Sequence, residues 1–581
     1  MDQHRVPLPP LRADLLLAHP PAFFDFRQRR DVYFPFLGTS GDVPITPLYE
    51  YFPVGFKTLQ QYLSSRGHAV KLINLSTVLL RYPKLDVDAL IDALDVKLLG
   101  IDLHWMVHVQ GSLAVAERIK QIRPDIPVIF GGISSTYYAD QLIRYPYIDM
   151  VMRGDDTHEP MAGLLHAIKQ GREPREVPNL LWKSTGGEPT DNGFSYTPKD
   201  FGCGIDWSEP PNEIVTETFP IRELLSTQNA GCVYNCGWCG GSRDSFRRIN
   251  QVRHAIARKP QSEVTFEIGT TTARPDAEGY HFYSVGSYTE PKKGMEHFLD
   301  QIGRTQLRSV SYEQFRLTND DVLERMASAN DRTTITLSPE SHDPRVARLS
   351  GRGVYTNGEL EQWIEKALDI GIHAIDVWYF IGMPEQDEAS VKGTVEYCQR
   401  LLEKFKGMRV NPMICPMIPL LDPASNFFEN PDQHGYRVFH RSIEQHRLGM
   451  ERASIINRIN YETEWLSRSD LVHVGFKAVR ALMEAKAESG MLPSSSVKAY
   501  NARIDDALDF IDVVHEVDCI TNQKERAREL EQLGDEILQR NKMIFFSGVM
   551  NQAFPVNRDI GARWFDEMGW EPADLEAAQR K

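Results

Sequence analysis

Cys232, Cys236 and Cys239 stand in the run GCVYNCGWCGGS with Cys-x3-Cys-x2-Cys spacing. Thiolates are soft ligands suited to iron–sulfur chemistry, and three on one tight loop can hold three irons of a 4Fe–4S cube while the fourth keeps an open position. Trp238, just before the last cysteine, would shield such a cluster, and Gly240 and Gly241 would let backbone approach it. A three-cysteine zinc site fits the same spacing. Against zinc, no fourth Cys or His follows at zinc-ribbon spacing, and a βα pattern of barrel type comes after the loop. The other cysteines, Cys203, Cys398, Cys415 and Cys519, are isolated and are expected as small buried hydrophobes. Seven cysteines with three clustered do not form the pattern of a secreted disulfide framework.

Two stretches of alternating strand and helix must position this loop. In the first, apolar runs predict strands at Asp14 to His19, Ala69 to Leu75, Leu98 to Trp105, Pro127 to Gly132 and Asp149 to Gly154, the last an edge strand. Amphipathic stretches between them predict helices at Val54 to Ser65, Ser112 to Ile122, Tyr137 to Ile143 and Glu159 to Lys169. This is the pattern of a doubly wound domain over residues 10–185, whose ligands sit beyond the carboxyl ends of its strands. Residues 186–220, rich in Gly, Pro, Asp and Thr, read as a linker. A second βα series over 221–431 begins at Leu224. It has strands expected at Leu307 to Phe315, Thr333 to Ser338, Ala374 to Ile381 and Arg409 to Ile414, with helices at Asp320 to Ser328, Asn357 to Asp369 and Glu388 to Lys404. The order suggests a partial or full parallel barrel. Residues 432–581 read as mainly helical, most clearly at Asp470 to Lys486 and Asn522 to Gln539.

The 581 residues exceed what one hydrophobic core organises, and 41% apolar with 25% charged residues fits globular domains. A net charge of −15 argues against nonspecific attraction to nucleic acid, so a small molecule is the expected partner. No apolar run reaches signal-peptide or membrane-span length, which makes the expected location the cytoplasm, with no membrane partner.

Over about residues 10 to 430 the chain resembles the radical S-adenosylmethionine superfamily, in the branch with an N-terminal cobalamin-binding domain. The cysteine run is the most specific motif. Leu337-Ser338-Pro339-Glu340-Ser341 is similar to the strand end that holds the cofactor's ribose in the family, which implies roles for Ser338 and Glu340. Phe380-Ile381-Gly382-Met383-Pro384-Glu385 is similar to the glycine turn beside adenine, and Arg348 and Gly353 look like the basic and turn residues that follow the first motif. In the front domain, Gly55 before a helix, Gly131-Gly132 after a strand, and Gly154-Asp155 after the next resemble the cobalamin fold. Ser134, Ser135 and Thr136 there stand as phosphate donors. A flavodoxin-like fold with another ligand, or none, fits the same glycines.

Two departures stand out. The family's Asp-x-His-x-x-Gly supplies a histidine beneath cobalt; here Asp102-Leu103-His104 lacks the glycine, position 107 being Val. The resemblance therefore implies cobalamin contact at His104 with no histidine ligand on the metal. The Gly-Gly-Glu motif for the methionine amino group is absent, which leaves Glu313, in Ser311-Tyr312-Glu313-Gln314, as the candidate.

The resemblance implies an α/β fold: a flavodoxin-like cobalamin domain, a partial or full radical (β/α) barrel and a helical tail. The implied cofactors are a 4Fe–4S cluster, S-adenosylmethionine and cobalamin. The expected function is methyl transfer from S-adenosylmethionine through cobalamin to carbon of a small biosynthetic intermediate, with reducing power from a low-potential donor such as flavodoxin or ferredoxin. A radical cyclase or rearrangement enzyme would use the same parts, and a non-catalytic cobalamin or metal sensor is the alternative outside enzymology. Methylthiotransferases carry a second cluster in the front domain, and no cysteine precedes Cys203 here.

Overall fold

The computed structural model describes residues 8–35, 47–49, 53–184, 186–208, 213–215, 220–252, 254–273, 280–285, 292–416 and 420–546. The first sheet comprises β1 (Leu11–His19), β2 (Val70–Asn74), β3 (Leu94–Asp102), β4 (Val128–Gly131), β5 (Met150–Met152), β6 (Leu180–Lys183) and β7 (Pro189–Asp191). Its order is β2-β1-β3-β4-β5-β6-β7. The first five strands run parallel, as strands buried on both faces do when their sequence is nearly continuous in Leu, Ile and Val. Their arrangement is the flavodoxin-like order, with a switch of direction between β1 and β3.

β5 is not an edge strand as expected from the sequence, because β6 and β7 add an antiparallel hairpin beyond it. Asn179, at φ 65°, turns the chain into β6, and its amide accepts from the backbone N–H of Ser195 and Tyr196. Within the segment expected as a linker, Ile205 and Trp207 are fully buried. Their backbone N–H groups donate to Glu267 and Thr270 of the helix Gln261–Thr272. That strap lets the cores of the two halves meet in one apolar cluster, which holds Leu15, Trp182, Trp207 and Leu224 together.

The second sheet is built on β8 (Glu213–Val215) and β9 (Pro220–Thr227), continuing after the small pair β10 (Asn229–Gly231) and β11 (Ile256–Arg258). It then takes in β12 (Tyr280–Val285), β13 (Ser309–Gln314), β14 (Thr333–Glu340), β15 (Ala374–Ile381) and β16 (Val410–Pro416). The order β16-β15-β14-β13-β12-β9-β8 puts six strands parallel, with β8 antiparallel at one edge. Among the described residues it is a partial barrel. Its helices carry their own start signals: Thr356 and Glu359 form a reciprocal capping box on Asn357–Ile370, and Asp387 caps Glu388–Lys404.

The tail contains the helices Arg468–Glu488, Ser494–Asp518 and Gln523–Phe546, and its remainder, 547–581, lies outside the described residues. The last helix returns to the beginning of the chain. Asn541 accepts from Phe34 N–H at 2.8 Å and donates to Val32 O at 2.8 Å, while the Phe545 ring meets Phe26 and Phe34 at 5.0 and 5.4 Å. Among the described residues no helix is long and apolar enough to cross a membrane.

Candidate active site

The cysteine loop follows β10 and enters the helix Arg243–Asn250. It is gripped from two sides. Gly237 N–H donates to Ser350 O at 3.0 Å, and Gly237 O accepts from Phe427 N–H at 2.8 Å. A Cβ on Gly237 would stand 2.2 Å from the Phe427 ring, so only glycine fits. Gly351, at φ 95°, presses on Asn235 O and the Cys236 backbone. The three sulfurs have unlike surroundings. Cys232 Sγ accepts from Tyr234 N–H at 3.4 Å. Cys236 Sγ accepts from Arg352 Nε at 3.0 Å. Near Cys239 lies Asp422, whose carboxylate accepts from Gly240 N–H at 2.9 Å. Burial pushes the Cys236 thiol up to about 12 against the pull of Arg352, and raises Cys239 well above its ordinary value.

The ends of β13, β14 and β15 surround the loop. Glu340 ends β14 at φ 73°, a left-handed conformation uncommon for a residue with a side chain and one that surrounding contacts must hold. Trp238 Nε1 donates to Glu340 Oε2 at 3.1 Å, and its ring lies 5.6 Å from Phe380. Burial pushes the Glu340 carboxyl up to about 7 despite Arg352 and Trp238, and pushes Glu313 at the end of β13 to about 7 despite Arg352. Ser338 is buried on β14. Gly382 follows β15, where Gln386 Oε1 accepts from its N–H at 2.8 Å and Tyr436 donates to its carbonyl at 2.7 Å. Arg348 lies exposed on the helix Pro344–Leu349, with Gly353 packed against it. The guanidinium that reaches the cysteine loop belongs to Arg352.

In the front domain, Gly132 at φ 111° brings its Cα against the Leu103 carbonyl and His104 N, where a Cβ would stand 2.8 Å from oxygen. Gly131 precedes it with open space at its Cβ position. Ser134 Oγ donates to His104 O at 2.8 Å, and Thr136 Oγ1 accepts from Gly154 N–H at 3.0 Å. Ser135 Oγ and Asp155 Oδ2 are buried with no hydrogen-bond partner among the described residues. His104 is exposed beside Trp105, their rings 5.5 Å apart. Asp102 does not support His104; it binds His19 Nδ1 at 2.8 Å. Burial works against the Asp102 carboxylate, but His19 and then His108 hold it below the usual carboxylate range. Gly55 lies in the exposed first turn of the helix Val54–Ser65.

Segment 422–429 joins the two groups of residues. Besides holding Gly237 and Gly240, it receives Tyr137 Oη at Glu429, 2.6 Å away. The helix after the cysteines packs on the helix Ile133–Tyr137 that follows Gly131-Gly132. Residues 42–162 match the model of the B12 binding domain, and residues 229–398 that of the radical SAM superfamily. The chain thus joins a B12 binding domain to a radical SAM domain. Cobalamin, a 4Fe–4S cluster and S-adenosylmethionine are the cofactors of those domains. In fold, this radical SAM enzyme is similar to the radical S-adenosylmethionine methyltransferase TsrM of Kitasatospora setae with cobalamin and a 4Fe–4S cluster bound. That likeness has 14% identity, a TM-score of 0.54, and coverage of 86% of this chain and 100% of that one. It is also similar to the cobalamin-dependent S-adenosylmethionine radical enzyme OxsB with aqua-cobalamin, at 12% identity and TM-score 0.52, over 96% of this chain and 85% of that one. A curated relative, the anaerobic magnesium-protoporphyrin IX monomethyl ester cyclase of Rubrivivax gelatinosus, is 26% identical over 151 residues, 23% of this chain and 25% of the relative. The match thus spans about a quarter of that protein's length.

The residues present fit the cofactors of this radical SAM enzyme. Arg352 Nη1, Gln314 Nε2 and Tyr355 Oη are buried at or near the cysteine loop without a hydrogen-bond partner among the described residues, as polar atoms awaiting a polar ligand would be. Ser135 Oγ and Asp155 Oδ2 offer the same in the front domain. Sequence reasoning missed Gly237, Gly351, Arg352, Asp422 and Phe427. Only the first carried a local sign, as a glycine between two of the cysteines. Three isolated cysteines depart from expectation, among them Cys415, which is half-buried on β16. Cys519 is exposed, because it closes a surface helix. Half-buried Cys203 donates to Thr58 O at 3.1 Å and lies 4.0 Å from His158 Nε2, whose Nδ1 binds Asp156 at 2.7 Å.

Proposed function

We propose that this enzyme moves a methyl group from S-adenosylmethionine, by way of cobalamin, to a carbon centre of a small biosynthetic intermediate. The observation that carries the reading is segment 422–429, which touches the cysteine loop and the helix after Gly131-Gly132 at once and so supports neighbouring cluster and cobalamin sites. When bound, the reduced cluster supplies an electron for cleaving S-adenosylmethionine and cobalamin supplies a methyl carrier. In this reading Cys232, Cys236 and Cys239 are the iron ligands, and Trp238, Gly240 and Gly241 enclose them. Ser338, Glu340, Glu313, Arg352 and Gly382 line the S-adenosylmethionine side; exposed Arg348 drops out of that group. Gly131, Gly132, Ser134, Ser135, Thr136, Gly154, Asp155 and His104 line the cobalamin side, with Gly55 at its margin. Carboxyls held near neutral protonation, as at Glu340 and Glu313, can accept or give hydrogen bonds to an amino acid or ribose group. Electrons come from a low-potential donor such as flavodoxin or ferredoxin. Methyl transfer is also in keeping with the methyltransferase named in the TsrM structure.

A second reading, radical cyclisation or rearrangement, is favoured by the cyclase match alone. One experiment separates them. The chain is purified and reconstituted without oxygen, and wild type is compared with the Cys232→Ala, Cys236→Ala, Cys239→Ala triple variant by optical and electron paramagnetic spectra. A 4Fe–4S signal lost in the variant, with cobalamin retained, supports the site; zinc in its place, or no cobalamin, ends the proposal. With methyl-labelled S-adenosylmethionine, label in the product marks a methyltransferase. Unlabelled product formed together with 5'-deoxyadenosine marks the cyclase or rearrangement enzyme.

A further inference from the structure

Arg352 stands beyond the helix Pro344–Leu349, and its side chain is 6% exposed. Its Nε faces two acceptors of different kinds, Cys236 Sγ at 3.0 Å and Glu340 Oε1 at 3.2 Å. The sulfur receives the hydrogen bond, and Glu340 Oε1 forms an ion pair with the same guanidinium. The guanidinium is held by rings, 3.5 Å from the centre of Phe315 and 5.2 Å from that of Tyr234. Burying an arginine is costly, and the Glu340 carboxylate, which meets Nε alone and not the whole fork, offsets part of that cost together with the ring faces. A neutral thiol is a poor acceptor for such a donor. A sulfur carrying negative charge is a good one.

We infer that Arg352 raises the reduction potential of the cluster by donating its Nε–H to Cys236 Sγ, acting as a positioning residue. The inference rests on the three cysteines being the cluster's ligands, as proposed above. Reduction adds negative charge to the cluster and its sulfurs, so a fixed cation and a donated hydrogen bond at one sulfur favour the reduced state. Burial keeps solvent and salt from screening that charge. The hydrogen bond is confined to Cys236, whereas the charge of Arg352 also reaches Cys232; Cys239 has Asp422 as its charged neighbour.

The test is a redox titration, followed by electron paramagnetic resonance, of the reconstituted full chain without S-adenosylmethionine, in wild type, Arg352→Lys and Arg352→Gln. The midpoint is expected to move to more negative values in Arg352→Gln, with Arg352→Lys between because it keeps charge but loses the planar donor. Equal midpoints in all three overturn the inference. Where a substituted chain takes up no cluster, wild-type protein grown with 15N-arginine decides. A 15N coupling to the reduced cluster, absent from unlabelled protein, supports the hydrogen bond, and no coupling overturns it. A wild-type chain that takes up no cluster overturns the proposed function and this inference together, whereas a cluster with an unmoved midpoint overturns the inference alone.

Discussion

Gly237 gives up a side chain so that the Phe427 ring can lie against the cysteine loop, and the same residue exchanges backbone hydrogen bonds with Ser350 and Phe427. Gly237→Ala must move either the ring or the loop. The expected cost is about 1–3 kcal/mol of stability, the range for overpacking a filled site, together with loss of most iron uptake. Iron and sulfide analysis beside thermal unfolding reads both, and adding Phe427→Leu should restore part of the iron. If Gly237→Ala keeps wild-type iron and melting, the grip described here is not what shapes the loop. At this scale the sequence was legible where chemistry is local, as in three thiols at short spacing. It was not legible where a contact depends on which way a helix ends. Arg348 and Arg352 are one turn apart in sequence, and only the end of the helix at Leu349 decides that the first faces solvent and the second faces sulfur.

Buried parallel strands announce themselves as apolar runs, which is why β1 to β5 and β13 to β16 fall where periodicity predicts them. The elements that escaped notice are those whose stability comes from partners. β7 is three residues of Pro-Thr-Asp paired with β6, β12 mixes His and Ser with Tyr, Phe and Val without regular alternation, and the helix Ser494–Asp518 opens on three serines. The helix Gln523–Phe546 was legible in outline, but its destination was not, because nothing local says that Asn541 and Phe545 belong with Val32 and Phe34. Phe545 is 1% exposed. Phe545→Ala is expected to cost about 3–5 kcal/mol, as for other buried phenylalanines. It should speed amide exchange in both the last helix and residues 22–34, and exchange that changes in the helix alone would show the two segments to be independent.

Over the whole molecule, buried histidines set a pH window for stability. Burial, with His19 adding for His108 and His440 for His446, depresses both to about 3 from 6.5. Below the unfolded value the unfolded chain takes up protons that the native chain refuses, so stability is complete above about pH 6.5 and falls as pH drops toward 3, by at most about 1.4 kcal/mol per pH unit for each group. His158 has the opposite sign. Burial opposes its charge, but Asp156 and then Cys203 raise it to about 9, so its contribution is present below about 6.5 and is lost as pH rises through 9. The raised carboxyls of Glu313 and Glu340 act in the opposite sense between about pH 4.5 and 7, so the histidine contribution is read by comparison: between about pH 7 and 5 the urea midpoint of His446→Gln should lose less than that of wild type. The same change of midpoint over that interval in wild type and His446→Gln would contradict the burial of this ring.

The return of the last helix to residues 26–34 also bears on how the molecule is made. A ribosome delivers Phe26 and Phe34 more than 500 residues before Asn541 and Phe545. At about 5–20 residues per second, the front domain spends tens of seconds with an apolar face and the Phe34 N–H awaiting a partner that has not yet been translated. Until then its first sheet can form, but the face that Phe545 covers stays open to water. A newly made molecule can bury that face only when its final helix leaves the exit tunnel.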